Sequence, residues 1–368
     1  MYRRTKAVIN LQSIGHNIRQ LQSLLDDESH VMGVVKADGY GHGSVEVANV
    51  LLNAGVDFLM VALLEEAIHL RKHGIVAPIL VVGRVHPEDA HVAASHHITI
   101  NVYEHAWVEA VKEMQFEAPL HIHVEFETGM NRTGICTEEE LRQIVTAIHR
   151  NPQLKLTGAF THFATADVID SAHFHRQYKN YEKMLHILAN IHDEPIMTHV
   201  GNSAAGIQYP EKMKRYTRFG VSLYGLYPSA EIRQLNNVTL EQAYSLYSEL
   251  VQVKKIKAGD FVGYGANFVA ETDMWIGTIP IGYADGWTRK LQGFEVLVAG
   301  KRMPIVGRIC MDSMMVRLDG PYEVGEKVTL IGGEGDAFID MDEVANYLET
   351  INYEIPCMIT SRVPRQYY

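Results

Sequence analysis

Val31-Met32-Gly33-Val34-Val35-Lys36-Ala37-Asp38-Gly39-Tyr40-Gly41-His42-Gly43 is an apolar run that stops at a lysine and passes into a glycine-rich turn. The run is short, rich in valine and bounded by glycine, which fits a buried parallel strand better than a helix. Ser44-Val45-Glu46-Val47-Ala48-Asn49-Val50-Leu51-Leu52 then reads as a helix. Lys36 is therefore expected where a buried strand opens into a loop. In α/β barrels and open α/β sheets that rim is where ligands and reacting groups collect. A partly desolvated amine there has a lowered pKa and serves as a nucleophile or a base. A lysine at a strand end also reads as a solvent-facing terminator, so the rest of the chain decides.

Working outward, Ala7-Val8-Ile9-Asn10 is strand-like, and Ser13 to Leu25 has helical spacing with Ser13 as N-cap. Further apolar runs predict strands at 58–62, 79–83, 98–102, 120–126, 156–162, 197–201 and 220–224, eight in all with the Lys36 strand. Segments 63–73, 87–95, 103–114, 138–149 and 172–191 between them carry helical periodicity. Strand–helix alternation means a parallel sheet, and eight units in about 230 residues is the size of a (β/α)₈ TIM barrel. An open doubly wound sheet is the alternative, although no GxGxxG fingerprint follows the first strand. The pattern changes at the polar stretch 228–237. Beyond it come a long strand at 246–256, strands at 274–281, 295–299, 303–309, 314–318 and 327–331, and one late helix at 341–349. The expected architecture is a barrel over residues 1–235 and a mostly antiparallel β domain over 236–368.

A net charge of -11 argues against a nucleic-acid surface. No apolar run approaches membrane-spanning length, and the N-terminus lacks a signal peptide's apolar segment. Cys136, Cys310 and Cys357 form no CxxC pair, which speaks against a disulfide framework or a zinc site and suits the cytoplasm. No metal is expected.

The barrel would bring one set of polar groups to its C-terminal mouth: Lys36 and Tyr40, Glu125 and Glu127 with the loop Thr128-Gly129-Met130-Asn131-Arg132-Thr133-Gly134, Thr161-His162-Phe163, Gly201-Asn202-Ser203, and Arg218-Phe219-Gly220. Each has a plainer reading. His162 can be a satisfied structural group, Gly-Asn-Ser an N-cap, and Arg218 a salt-bridge partner. Together on one rim they point to phosphate capture beside a reactive lysine. Asn202 and Ser203 open a helix, Gly220 permits close backbone approach, and Tyr40 can add a hydroxyl. A phosphate held across the mouth from a strand-end lysine suggests pyridoxal 5'-phosphate in a Schiff base.

These motifs resemble those of the alanine racemases. They include Val35–Gly43, Thr128–Gly134, Thr161-His162-Phe163-Ala164-Thr165-Ala166-Asp167, Asn202-Ser203-Ala204-Ala205 and Arg218-Phe219-Gly220. Further on come Gly263-Tyr264-Gly265, Pro280–Trp287, Gly307-Arg308-Ile309-Cys310-Met311-Asp312 and Ile351-Asn352-Tyr353-Glu354. The resemblance implies a pyridoxal-phosphate racemase that interconverts L- and D-alanine and supplies D-alanine for a bacterial wall. It also implies a homodimer in which the β domain of one subunit completes the partner's active site. Lys36 would carry the cofactor and serve as one catalytic base, and Tyr264 from the partner as the other. Racemisation removes a proton from one face and returns one on the opposite face, so two flanking groups are needed. A phenol titrates near ~10, so a tyrosine base needs assistance at neutral pH. The resemblance supplies His162 and Arg218 for this, with Arg218 also at the pyridine nitrogen. A guanidinium does not release its proton, so that nitrogen stays unprotonated.

By the same likeness Arg132 holds the cofactor's phenolic oxygen and helps orient the substrate carboxylate, which the backbone of the partner's Met311 also binds, with Asp312 supporting. Tyr40, Asn202, Ser203, Gly220 and Tyr353 contact the phosphate side of the cofactor. Asp167, Tyr283, Arg289 and Arg308 line an access corridor, although Arg308 and Asp167 also read as a salt-bridged rim. One position departs from the pattern: many members carry a carbamylated lysine where this chain has Glu125. Glu125 would then supply the carboxylate that fixes Arg132, directly or through a water. The alternative is that Glu125 turns away and another anion such as chloride fills the gap. Serine differs from alanine by one hydroxyl, and apolar pockets reject such an addition poorly, so a serine or broad-specificity racemase stays open. A decarboxylase would carry a longer glycine-rich phosphate loop, and a single-domain cofactor carrier would lack the β domain.

Overall fold

The computed structural model describes residues 2–213 and 215–368. The chain divides into two compact units. One is formed by Ser13–Gly39 and Gly43–Glu241; the other by the N-terminal segment up to Gln12, Tyr40–His42 and Gln242–Tyr368.

Strand β1 (Lys6–Ile9) belongs to the second unit and is described with it. The first unit holds β2 (His30–Val34), β3 (Phe58–Val61), β4 (Ile79–Arg84), β5 (Thr99–Val102), β6 (Leu120–Glu125), β7 (Leu154–Phe160), β8 (Met197–Val200) and β9 (Tyr216–Phe219). All are parallel and pair in chain order, and β9 pairs back with β2 to close an eight-stranded barrel. This is the TIM barrel expected from the alternation. Outward residues such as Leu120, Ile122 and Val124 are fully buried under the surrounding helices. The helix Glu138–Arg150 starts at Thr137, whose hydroxyl accepts from the Glu140 amide while the Glu140 carboxylate accepts from the Thr137 amide. Such reciprocal capping satisfies two otherwise orphaned donors. The helix Ala172–Ala189 is capped in the same way on one side by Ser171.

Two sequence expectations shift. The eighth strand is Tyr216–Phe219, and Val221–Tyr224, expected as strand, forms a 3₁₀ turn. Val221, Leu223 and Tyr224 are buried, and a short buried apolar run cannot be assigned to strand or helical turn by periodicity. Arg218 breaks the apolar pattern of the true strand, yet it lies inside the barrel with polar partners. The expected linker 228–237 also holds a short helix, Ala230–Gln234, capped by Ser229.

In the second unit, β10 (Tyr244–Glu249), β11 (Gln252–Ile256), β12 (Phe261–Val262), β13 (Phe268–Val269), β14 (Met274–Ile279), β15 (Glu295–Val298), β16 (Lys301–Val306), β17 (Met314–Leu318), β18 (Lys327–Glu334), β19 (Ala337–Ile339) and β20 (Arg365–Tyr367) follow in order. The main sheet runs β11-β14-β17-β16-β15-β18-β10-β1-β20, with β19 on β18 and a separate β12–β13 ribbon. Its pairs are antiparallel except β1 with β20. Sequence reading placed the first twelve residues with the barrel. They lie here because β1 inserts between β10 and β20, which satisfies both edges of a short strand. The single long strand expected over 246–256 is two strands, broken at Leu250 and Val251. The helix at the end of the unit is Met341–Tyr347, and a second one, Glu354–Met358, had no clear signal.

Candidate active site

Strand β2 ends at Val34, and Lys36 begins a turn of unusual handedness. Ala37, Asp38, Gly39 and Tyr40 all have φ between 51° and 60°. Left-handed conformation costs about 1–2 kcal/mol for each residue with a side chain, so the surroundings must impose it. The Asp38 carbonyl accepts from the Gly43 amide and its carboxylate from the Ser44 amide. The Glu66 carboxylate accepts from the amides of Ala37, Ala62 and Leu63. Lys36 is thereby held half-buried at the rim on an over-determined backbone, as strained segments at functional sites are.

Around the same mouth stand His162, Arg218, Glu125, Arg132, Asn202, Ser203 and Gly220. Arg218 is 2% exposed. Its guanidinium donates to the carbonyls of Thr161 and His199 (2.7 and 2.9 Å) and to Nδ1 of His162 and of His199 (both 3.2 Å). Burial brings its pKa down to about 10, opposed by Glu125 and Tyr181, so it stays charged at neutral pH. His162 is held well below its ordinary value by burial, then by the positive charges of Arg218, Arg132 and Lys36. Because a guanidinium only donates, the neutral His162 accepts at Nδ1 and carries its proton on Nε2.

Glu125 is buried. Its Oε2 accepts from Asn101 Nδ2 (2.8 Å) and Thr133 Oγ1 (3.0 Å), and its Oε1 lies 4.0 Å from Arg132 Nη2. That gap is too long for a direct hydrogen bond and suits a bridging water. Burial raises the Glu125 pKa; bonds from Asn101 and Thr133 and the charges of Arg132 and Arg218 oppose the rise. The Asn202 side chain caps the turn Ser203–Gln208 at the Ala205 amide. Ser203 Oγ accepts from the amides of Gly220 (3.0 Å) and Ser222 (3.4 Å). Its own proton is then directed to an acceptor outside this pair.

The remaining site candidates lie in the second unit, except Asp167, which follows β7. Tyr40 and Tyr353 pack with ring centres 6.3 Å apart. Any side chain at Gly41 (φ 77°) would strike the Pro356 carbonyl at 2.3 Å, so this close approach requires glycine. Tyr264 sits in a tight turn between Gly263 and Gly265, both with positive φ, and is 71% exposed. It lines a cavity of about 450 Å³ together with Phe261, Cys310 and Met315. The Asn267 carboxamide, oriented by its bonds, accepts from Arg308 Nη2 and Nε (2.9 and 2.7 Å), which fixes Arg308 against the same turn. The Met311 carbonyl accepts from the Ala284 amide next to the exposed Tyr283, and Asp312 pairs with Arg362 (2.6 Å). Arg289 is exposed at the start of a separate turn.

Sequence reading missed a buried polar set, part on the helix Ala172–Ala189 and part inside the barrel. Gln177, fully buried, donates to Thr128 Oγ1 and the His162 carbonyl and accepts from the Ala164 amide. His123 and His199 are also fully buried within the barrel. Alternation in Leu120-His121-Ile122-His123-Val124-Glu125 places His121, His123 and Glu125 on one strand face, and that signal was readable.

The donor set at the mouth is a primary amine, a serine hydroxyl beside a tight turn, and an obligatory guanidinium donor. It fits an aldehyde, a phosphate and a ring nitrogen, and so fits pyridoxal phosphate. Among the described residues no cluster of three or more His, Cys, Asp or Glu could hold a metal, and no helix is long and apolar enough to cross a membrane.

Comparison with known proteins defines the class. A profile described as "Alanine racemase, N-terminal domain" matches residues 9–228, and "Alanine racemase, C-terminal domain" matches 243–367. The alanine racemase of Geobacillus stearothermophilus is 49% identical over 368 residues, covering 100% of this chain and 94% of that protein. The crystal structure of the Bacillus anthracis alanine racemase, with bound L-Ala-P, has a TM-score of 0.97 at 41% identity and covers 100% of this chain and 96% of its own. A histidine racemase from Leuconostoc mesenteroides subsp. sake has a TM-score of 0.93 at 30% identity, covering 100% and 98%. Barrel, β unit and relatives together define an isomerase. The chain belongs to the alanine racemase family.

Proposed function

We propose that this protein interconverts L- and D-alanine with pyridoxal 5'-phosphate, as a homodimer whose subunits share their active sites. The observation that carries this reading is the array of Lys36, His162, Arg218 and Ser203 at one barrel mouth. The exposed Tyr264 in the β unit supports the shared site. When bound, the cofactor supplies an electron sink that acidifies the α-proton of an amino acid. Lys36 would hold it and exchange a proton on one face of the α-carbon. Tyr264 of the partner subunit would do so on the other. The His162 Nε2–H, oriented by Arg218, would stabilise that tyrosine as a phenolate. Arg218 would donate to the ring nitrogen, and Ser203, Gly220, Asn202, Tyr40 and Tyr353 would serve the phosphate side. Arg132, with the partner's Met311 and Asp312, would orient the carboxylate. Asp167, Tyr283, Arg289 and Arg308 would line the approach. Cys136, Cys310 and Cys357 form no disulfide, which fits a reducing cytoplasm, where D-alanine would be made for the cell wall.

The test is an absorbance scan of the purified protein for the visible band of lysine-bound pyridoxal phosphate, followed by L-alanine and chiral product analysis. The band and D-alanine are expected together, and both should vanish in Lys36→Ala. A band without racemisation of alanine would leave the cofactor site standing and the substrate wrong. No band, even with added cofactor, would overturn the reading. A histidine racemase of the same fold shows that the fold admits other side chains, which keeps serine or a broader substrate range as the second reading.

Glu125→Gln should lower kcat/KM for alanine by about fivefold, the scale of one charge-assisted contact relayed by water. Steady-state kinetics would check this. Unchanged turnover and substrate binding would show that Glu125 does not position Arg132.

A further inference from the structure

The interiors of eight-stranded barrels are ordinarily filled by branched apolar side chains. Here two imidazoles that play no part in the proposed chemistry fill the space beneath Arg218. His123 Nδ1 lies 2.9 Å from His199 Nε2, and His199 Nδ1 lies 3.2 Å from Arg218 Nη1. The rings are confined. A Cβ on Gly158 would strike the His123 ring at 2.5–2.6 Å, and Phe160 stacks on His199 with centres 4.6 Å apart. Below them His123 borders a cavity of about 360 Å³ at the N-terminal end of the barrel, together with His97, His121 and Met197.

The direction of every hydrogen bond in this column follows from Arg218. A guanidinium has only donors, so His199 Nδ1 must be an acceptor and the His199 proton must sit on Nε2. That proton needs an acceptor, and His123 Nδ1 is the one in reach. His123 in turn carries its proton on Nε2. Both rings are neutral: burial pushes His123 down to about 3 and His199 well below its ordinary value, helped in His199 by Arg218.

We propose that His123 is a positioning residue for Arg218, acting through His199: it fixes the tautomer that leaves His199 Nδ1 open to the guanidinium. The proposal rests on the reading of Arg218 as the partner of the cofactor ring nitrogen. Without His123, the His199 Nε2–H is buried with no acceptor. Moving that proton to Nδ1 satisfies nothing, because it then faces another donor. Arg218 must shift, and with it the bond that orients His162.

The experiment is ¹⁵N NMR of histidine tautomers in the isolated holoenzyme, read beside steady-state kinetics, for wild type, His123→Leu and His123→Asn. Asn places an oxygen where His123 Nδ1 stands. Wild type should show His199 protonated at Nε2 and bare at Nδ1. His123→Leu should change that signature and lower kcat about tenfold, as loss of an outer-shell orienting partner does. His123→Asn should restore the tautomer and most of kcat. Wild-type His199 protonated at Nδ1 would overturn the proposal, even if the Leu variant fails to fold. So would a Leu variant with unaltered tautomer and kcat. If alanine is not racemised at all, the proposed function fails, and the tautomer measurement still decides the His123–His199 arrangement.

Discussion

Tyr264→Phe is expected to lower interconversion of alanine enantiomers by about 10²–10⁴-fold, the range for loss of one general acid–base group. It should leave α-proton exchange intact for one enantiomer alone. With both bases present, a proton leaves one face and another arrives on the opposite face. On the proposed roles, with the phenol gone Lys36 would still take the proton that faces it, but nothing would deliver one from the other side, so one would return to the same face. L- and D-alanine incubated separately in D₂O, with mass and chirality of the product followed over time, read this directly. One enantiomer should gain deuterium with retention, and the other should stay unlabelled. Wild-type racemisation in the variant would sink the role of Tyr264. Exchange of both enantiomers would sink the one-face assignment of Lys36. The turn that carries Tyr264 suits such a role, because Asn267, bonded to Arg308, donates to the Gly265 carbonyl and fixes the backbone beside the exposed phenol.

The barrel was legible because its signal is local. Each strand is a short apolar run, each helix carries its own spacing, and caps such as Thr137 and Ser171 stand just ahead of their helices. The same locality explains the misplaced eighth strand. Val221–Tyr224 is buried like a strand, and only the pairing of Tyr216–Phe219 with His30–Val34 decides between them. The place of Lys6–Ile9 is likewise a long-range pairing that no local pattern encodes. At the site, Lys36 and Ser203 were readable as polar groups just past apolar runs, and Arg218 as a polar group on the approach to the expected eighth strand. The left-handed turn after Lys36 was not, because Ala37 and Tyr40 do not favour it. It is imposed by Glu66, twenty-nine residues away from Ala37. The 4.0 Å between Glu125 and Arg132 is a matter of geometry beyond any motif.

The buried histidines also set how the protein responds to acid. His123 and His199, fully buried, and His162 have folded pKa values below the ordinary ~6.5 of an exposed imidazole, that of His123 at about 3. Below about pH 6.5 the unfolded chain takes up protons on these rings while the folded chain does not. The unfolded state then binds more protons, so stability is complete above the unfolded value and falls as pH drops toward the folded ones. His123 contributes a loss of about 1.4 kcal/mol per pH unit in this window, and His199 and His162 add in the same direction. Glu125 works the other way: its raised pKa gives stability at low pH that is lost as pH rises through the folded value. Asp285, which burial would raise but Arg3, the Gly282 amide and Arg362 hold down, adds an acid loss only below about pH 4. Against a total stability of ~5–15 kcal/mol, losses of this kind are a sizeable fraction of the whole. Urea midpoints followed by circular dichroism should fall steeply between about pH 6.5 and 5, and the slope should be shallower in His123→Asn, which carries one such ring fewer. A midpoint that stays flat across that range would mean the column is already protonated or open to solvent. If the column is already protonated, Arg218 loses the neutral acceptor at His199 Nδ1.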